Sequence, residues 1–271
     1  MGRKKVGLAL SSGVARGLAH VGVLAVLERK GIPIDMVAGA SVGAIIGAFY
    51  AAGKDIGQIT SAVTGLSRRR VMSLTDFTIP TRGFIKGKKI THWLKSVIGN
   101  IDFEDLKIPF ACVATDINTC GEVVMKQGSV VEAVRASVSM PVIFTPAKWQ
   151  GQYLIDGALV DPLPVRVLRE MGADLVIAVN VVPYIGDRLQ KAIPEDLEKP
   201  KEPNIFSVLI RMMYIMGYQA AMSGLREADV TIAPSVGHIR PDNFNRAREL
   251  ILRGERAAQR AIPDIKRQLE A

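Results

Sequence analysis

The chain has 271 residues, is 48% hydrophobic, and carries a formal charge of +9 with a pI near 9.7. Such a length and apolar content suit one large α/β domain with a buried core. They exclude a solenoid, because no repeat is visible, and a disulfide framework, because Cys112 and Cys120 are the only cysteines. No stretch approaches the ~18 uncharged apolar residues of a spanning helix, and the positive charge points to an anionic partner.

Met1-Gly2-Arg3-Lys4-Lys5 followed by apolar residues mimics a leader peptide, but two serines, Arg16 and His20 interrupt the run. Val6 to Leu10 is therefore read as the first core strand, spanning 5–10. Ser11-Ser12-Gly13-Val14-Ala15-Arg16-Gly17 forms a small-residue loop before a helix over 17–30, closed by Gly31. Between strand and helix, such a loop leaves backbone N–H groups aimed at an anion. Gly13, Val14 and Ala15 are the candidate oxyanion donors, with Arg16 supplementing the site or orienting the loop. Phosphate binding is the alternative, though the loop is not Gly-x-Gly-x-x-Gly and lacks the Walker lysine.

A second strand over 34–39 runs into Gly39-Ala40-Ser41-Val42-Gly43 and a helix over 42–52. This is a nucleophile elbow: small residues flank a serine held in a strained turn, with Oγ exposed at a helix N-terminus. Ser41 is the candidate nucleophile; helix capping is the competing role for a serine here. The β-α-β-α start implies a mainly parallel sheet with helices on both faces.

A helix over 55–65 leads into a basic cap segment at about 66–100. There Arg68, Arg69, Arg70, Arg82, Lys86, Lys88, Lys89 and Lys95 face only Asp76. It reads as a solvated face or as a dock for phosphate head groups or an anionic membrane. Trp93, Phe77 and Phe84 form no stacking pattern, so nucleic acid is not expected. Strands over 109–115 and 121–126 flank a turn at Asn118–Gly121 as an antiparallel hairpin, with Cys112 a buried thiol. A helix over 129–137 and a strand ending at Ile155 follow. That strand delivers Asp156 to a tight Gly157-Ala158 turn, making Asp156 the candidate base.

A helix over 164–170 and a doubly buried strand within 174–182 complete the sheet. Proline- and charge-rich 183–204 reads as an exposed, mobile loop. The C-terminal helical region, 205–271, opens with a methionine-rich helix from Ile205 to about Arg226. That helix is packed on the domain or serves as a dimer contact, lid or interfacial element. The tail from Phe244 reads as a surface helix pair broken at Pro263.

Only His20, His92 and His238 could replace Asp156 as base. His20 reads as structural and His238 as an ordinary exit from a strand. An aspartate of ordinary pKa ~3.9 is a weak base at neutral pH, so the site must be desolvated. No Cys/His cluster suggests a metal; no cofactor and no calcium requirement are expected.

The elbow, the loop and Asp156-Gly157-Ala158, in this order, resemble the patatin-like phospholipases, a family of Ser-Asp dyad acyl hydrolases. The resemblance extends through Arg16–Leu24, Ala133–Ser137 with Met140-Pro141, and Asp161–Val165, and covers about residues 5–182 clearly. The family's loop is usually a run of glycines, whereas Ser11, Ser12 and Val14 occupy part of it here, and valine disfavours positive φ. The resemblance implies a three-layer sandwich, and a lipid acyl hydrolase acting through Ser41 and Asp156. The alternatives are a carboxylesterase or thioesterase on soluble acyl substrates, or a non-catalytic scaffold. The simplest home is the cytoplasm, extending to the inner face of a membrane, and a homodimer is open.

Overall fold

The computed structural model describes residues 3–65, 85–182 and 205–271. The basic stretch at 66–84 and the expected mobile loop at 183–204 lie outside the described residues. In chain order the elements are β1 (Val6–Leu10), α1 (Ala19–Arg29), β2 (Met36–Ala40), α2 (Val42–Ala51), α3 (Ile56–Thr64) and α4 (Lys88–Ile98). Next come β3 (Phe110–Asp116), β4 (Glu122–Met125), α5 (Val130–Ser137), β5 (Ala147–Trp149), β6 (Gln152–Asp156) and α6 (Val165–Glu170). Last are β7 (Leu175–Val179), α7 (Ile205–Glu227), β8 (Val230–Ile232) and α8 (Ala247–Glu270).

The sheet runs β5-β6-β3-β2-β1-β7-β8, with β4 also paired to β3. Strands β3, β2, β1, β7 and β8 are mutually parallel, as the alternating start demands. The antiparallel part is the expected hairpin of β3 with β4, plus β6 on β3 and β5 on β6. Alternation along the strands separates two cores. Val6, Leu8 and Leu10 pack with Leu24, Phe49 and Leu250 on one face. Ala9, Ala38 and Ala178 pack with Val165 and Leu168 on the other. These are the three layers of an α/β/α sandwich.

Local chemistry sets the helix starts. Asp55 and Gln58 form a reciprocal capping box at α3, with bonds of 2.7 and 3.1 Å. The first helix begins later than 17, because a 3-10 turn over Val14–Leu18 precedes α1. The tail departs further from expectation. Instead of two helices broken at Pro263, α8 is one helix with Pro263 inside it. Leu250, Ala257, Ala258, Ile262 and Ile265 are all buried, so packing of one apolar face holds the helix together across the proline.

Register carries the chain from one candidate site turn to the next. Leu10 pairs with Gly39, Ala40 with Val113, and Ala114 with Asp156. The loop after β1, the elbow after β2 and the end of β6 therefore meet beyond the carboxyl ends of the central strands, where open α/β sheets place ligands.

Candidate active site

Ser41 has φ 54° and ψ −121°, a conformation that side-chain-bearing residues rarely adopt. Its flanking glycines permit the close backbone approach that this turn requires. A Cβ on Gly39 would lie 2.5 Å from the Gly43 carbonyl, and one on Gly43 would lie 2.1 Å from Leu10 O. The turn is thus packed tightly against its own backbone and β1. Its Oγ–H donates to Asp156 Oδ2 at 2.8 Å.

Asp156 is 1% exposed at the end of β6. Its Oδ1 accepts the Ala158 N–H at 2.9 Å, and the Thr115 hydroxyl donates to its backbone carbonyl at 2.9 Å. Gly157 is required beside it, since a Cβ there would meet Val113 O at 2.1 Å. Burial pushes the Asp156 carboxyl up from 3.8 to about 6, with the Ala158 and Ser41 bonds pulling the other way. The result is a carboxylate ionised at neutral pH yet far more basic than an exposed aspartate.

The loop after β1 supplies the other half. Val14 does take positive φ, 51°, against expectation for a valine. Bonds on both sides impose it. Ser12 N–H donates to Pro162 O at 2.9 Å and Ala15 N–H to Pro241 O at 3.0 Å. The Arg16 guanidinium reaches Ile239 O at 2.7 Å and Gly237 O at 3.2 Å. Arg16 N–H donates to Gly13 O at 3.1 Å, so the amide of Ala15, one of the three expected donors, and that of the supplementary Arg16 are both engaged. The Gly13 and Val14 amides have no acceptor among the described residues. Both residues line the cavity that Ser41 and Asp156 share.

His20 and His238 have partners other than this pair, and His92 is exposed on α4. Ser11 O, which can only accept, lies 2.8 Å from His20 Nε2, so that nitrogen carries the proton. His20 Nδ1 is buried without a partner among the described residues, and burial lowers the ring's pKa to about 4. It is a neutral packing residue, as expected. His238 pairs instead with Glu249 at 3.3 Å. Cys112 is fully buried, as read from its strand, and its thiol pKa is raised by burial.

Two features were invisible locally. Met213 and Tyr214 of α7 join Met140 and Leu159 as cavity wall, so the methionine-rich helix roofs the site. The space left is about 50 Å³, well below the ~300 Å³ of common ligand pockets. Ser137 Oγ, at the end of α5, accepts the Ser41 N–H at 2.9 Å. No sequence signal beyond the resemblance around Ala133–Ser137 marked it.

Comparison with known proteins agrees with this geometry. The profile of the patatin-like phospholipase family matches residues 8–169, a span containing the loop, the elbow and Asp156. The chain belongs to the patatin-like phospholipase family. An uncharacterized NTE family protein of Mycobacterium tuberculosis is 36% identical over 177 residues, covering 65% of this chain and 49% of that protein. Lysophospholipase NTE1 of Lodderomyces elongisporus is 31% identical over 264 residues, covering 90% of this chain but 18% of its own length. This patatin-like chain thus spans half or less of the length of these relatives. Among solved structures, VipD from Legionella pneumophila superposes with a TM-score of 0.56 at 15% identity, covering 98% of this chain and 67% of VipD. That likeness bears on the patatin-like fold alone.

Proposed function

We propose that the chain is a lipid acyl hydrolase, of phospholipase A or esterase type, that cleaves carboxylic esters through an acyl-Ser41 intermediate. The observation that carries this is the 2.8 Å bond between Ser41 Oγ and a buried Asp156 carboxylate, beside Gly13 and Val14 amides that no acceptor among the described residues engages. Ser41 Oγ attacks the ester carbonyl carbon while its proton passes to Asp156 Oδ2. The Gly13 and Val14 N–H groups stabilise the oxyanion. Collapse breaks the bond to the alcohol, which takes the proton back from Asp156. Water then attacks the acyl group, giving its proton to Asp156, and Ser41 leaves with that proton as the acid is released.

A lipid as substrate is supported by family membership and by the name of the yeast relative, a lysophospholipase. A lipid surface as the place of action is supported by α7. Ile205, Met212, Ile215 and Met216 are each more than half exposed, and Leu209 falls on the same stripe. Lys86, Lys88, Lys89 and Lys95 add exposed positive charge around α4. Among the described residues no helix is long and apolar enough to cross a membrane. The other reading is a carboxylesterase or thioesterase on short soluble acyl groups, and the 50 Å³ cavity favours it.

Turnover of lysophospholipid, phospholipid, aryl ester and acyl-CoA, with Ser41→Ala as control, decides between them. Faster turnover of the lipids, abolished in Ser41→Ala, is the expected result. Turnover confined to short soluble esters would favour the second reading, and turnover surviving in Ser41→Ala would sink both.

A further inference from the structure

We propose that Ser137 is a positioning residue for the nucleophile, holding Ser41 in its strained turn through the Ser41 backbone amide. The inference rests on the reading of Ser41 and Asp156 as the reacting pair. Ser137 Oγ accepts the Ser41 N–H at 2.9 Å, and Ser137 is fully buried. It is absent from the wall of the cavity, so its hydroxyl acts on the reaction only through Ser41.

The anchor is itself built in. Two residues on, Ser139 O accepts the Asp156 N–H at 3.0 Å. Ser139 Oγ donates to Arg135 O at 2.9 Å and accepts from the Arg135 guanidinium. That guanidinium donates to Lys86 O at 2.9 Å and Thr145 O at 3.2 Å, and stands 5.1 Å from the Phe144 ring. Residues 135–139 therefore grip both members of the pair by separate bonds, Ser41 by a side chain and Asp156 by a carbonyl. The two glycines prevent the elbow from closing further, whereas the Ser137 bond opposes rotation of the Ser41 peptide. Losing it lets Oγ drift from Asp156 and from the amides of Gly13 and Val14. Displacements of about 1 Å in such sites can cost ~10²-fold in rate.

The test uses the rate of labelling by a fluorophosphonate, with thermal melting as the fold control. Ser137→Ala should label Ser41 ~10- to 100-fold more slowly and turn over an aryl ester with reduced kcat at nearly unchanged KM. Ser137→Thr, which restores the acceptor, should recover most of the rate. The acid midpoint of the labelling profile should stay in place, because Asp156 keeps its own bonds. Ser129→Ala is the structural control. It removes the N-cap of the same helix, whose Oγ accepts Glu132 N–H at 3.4 Å, and should lower melting without slowing Ser41. If Ser137→Ala does not fold, Ser137→Cys decides the matter, with similar volume but a far weaker acceptor. A folded Ser137→Ala or Ser137→Cys labelling at the wild-type rate would overturn the proposal. A wild-type protein that takes no label on Ser41 would instead overturn the dyad reading beneath it.

Discussion

The turns after β1 and β2 look alike and are held by different balances of close approach and hydrogen bonding. Each follows a buried strand, each precedes a helix, and each carries a side-chain-bearing residue at positive φ, Val14 at 51° and Ser41 at 54°. At the elbow, strain is held chiefly by close approach: Gly39 and Gly43 have no room for a Cβ, so backbone presses on backbone, with the Ser137 hydroxyl anchoring the Ser41 amide. At the β1 loop, strain is locked by bonds reaching far along the chain, to Pro162, Gly237, Ile239 and Pro241. A turn pressed this closely against backbone tolerates no side chain at its two glycines. A turn locked by distant acceptors can vary in sequence while keeping its shape, which is why Val14 can stand where glycine is usual.

The largest break would come at the elbow. Gly43→Ala sets a Cβ 2.1 Å from Leu10 O and should destabilise by roughly 4 kcal/mol or more while abolishing activity. A denaturant midpoint near wild type would show that the elbow can relax.

Asp156→Asn comes next and separates function from stability. Activity should fall ~10²-fold or more, since the amide cannot take the proton. Stability should rise. The Asp156 pKa is raised in the fold, so its charge costs stability above about 6 and nothing below 3.8, and its contribution falls as pH rises between them. The gain from asparagine should thus grow from about 0.6 kcal/mol at pH 4 to roughly 3 kcal/mol at pH 7. His20, lowered to about 4, has the opposite slope over an overlapping window, so the difference between the two proteins is the quantity to measure. A gain that is constant with pH would contradict the burial argument.

Arg16→Met tests the distant lock. It strips the bonds to Ile239 and Gly237 carbonyls and should slow turnover about 10-fold and cost ~2 kcal/mol, with Ser41 still the labelled residue. Unchanged turnover would mean that the remaining bonds hold the loop alone. The smallest effect is Val14→Gly. Relief of ~1 kcal/mol of strain is offset by the greater freedom of glycine in the unfolded chain, leaving activity within a few-fold and stability within ~1 kcal/mol. A large loss would show that the valine side chain itself shapes the cavity.

The same contrast explains what the sequence disclosed. Strand-turn-helix periodicity and Gly-x-Ser-x-Gly are local signals, so β1, β2, the elbow and the Asp156 turn could be read directly. The parallel sheet followed from the alternation of elements. The state of each loop amide could not, because Ala15 is engaged by Pro241, more than two hundred positions away. Ser137 was equally hidden, since one hydroxyl at a helix end looks the same whether or not a strained amide lies above it. Pro263 misled for a related reason: local chemistry says break, and the apolar face of α8 packed on the core says continue.

The pairing of Ser41 with a buried aspartate is tested most directly by the pH dependence of the fluorophosphonate labelling rate, in wild type and Asp156→Asn. Wild type should label on Ser41 alone, with a rate that rises through a midpoint near pH 6. Asp156→Asn should label at least ~10²-fold more slowly, with that limb gone. Labelling of Asp156→Asn at the wild-type rate, or an unaltered limb near pH 6, would contradict the account.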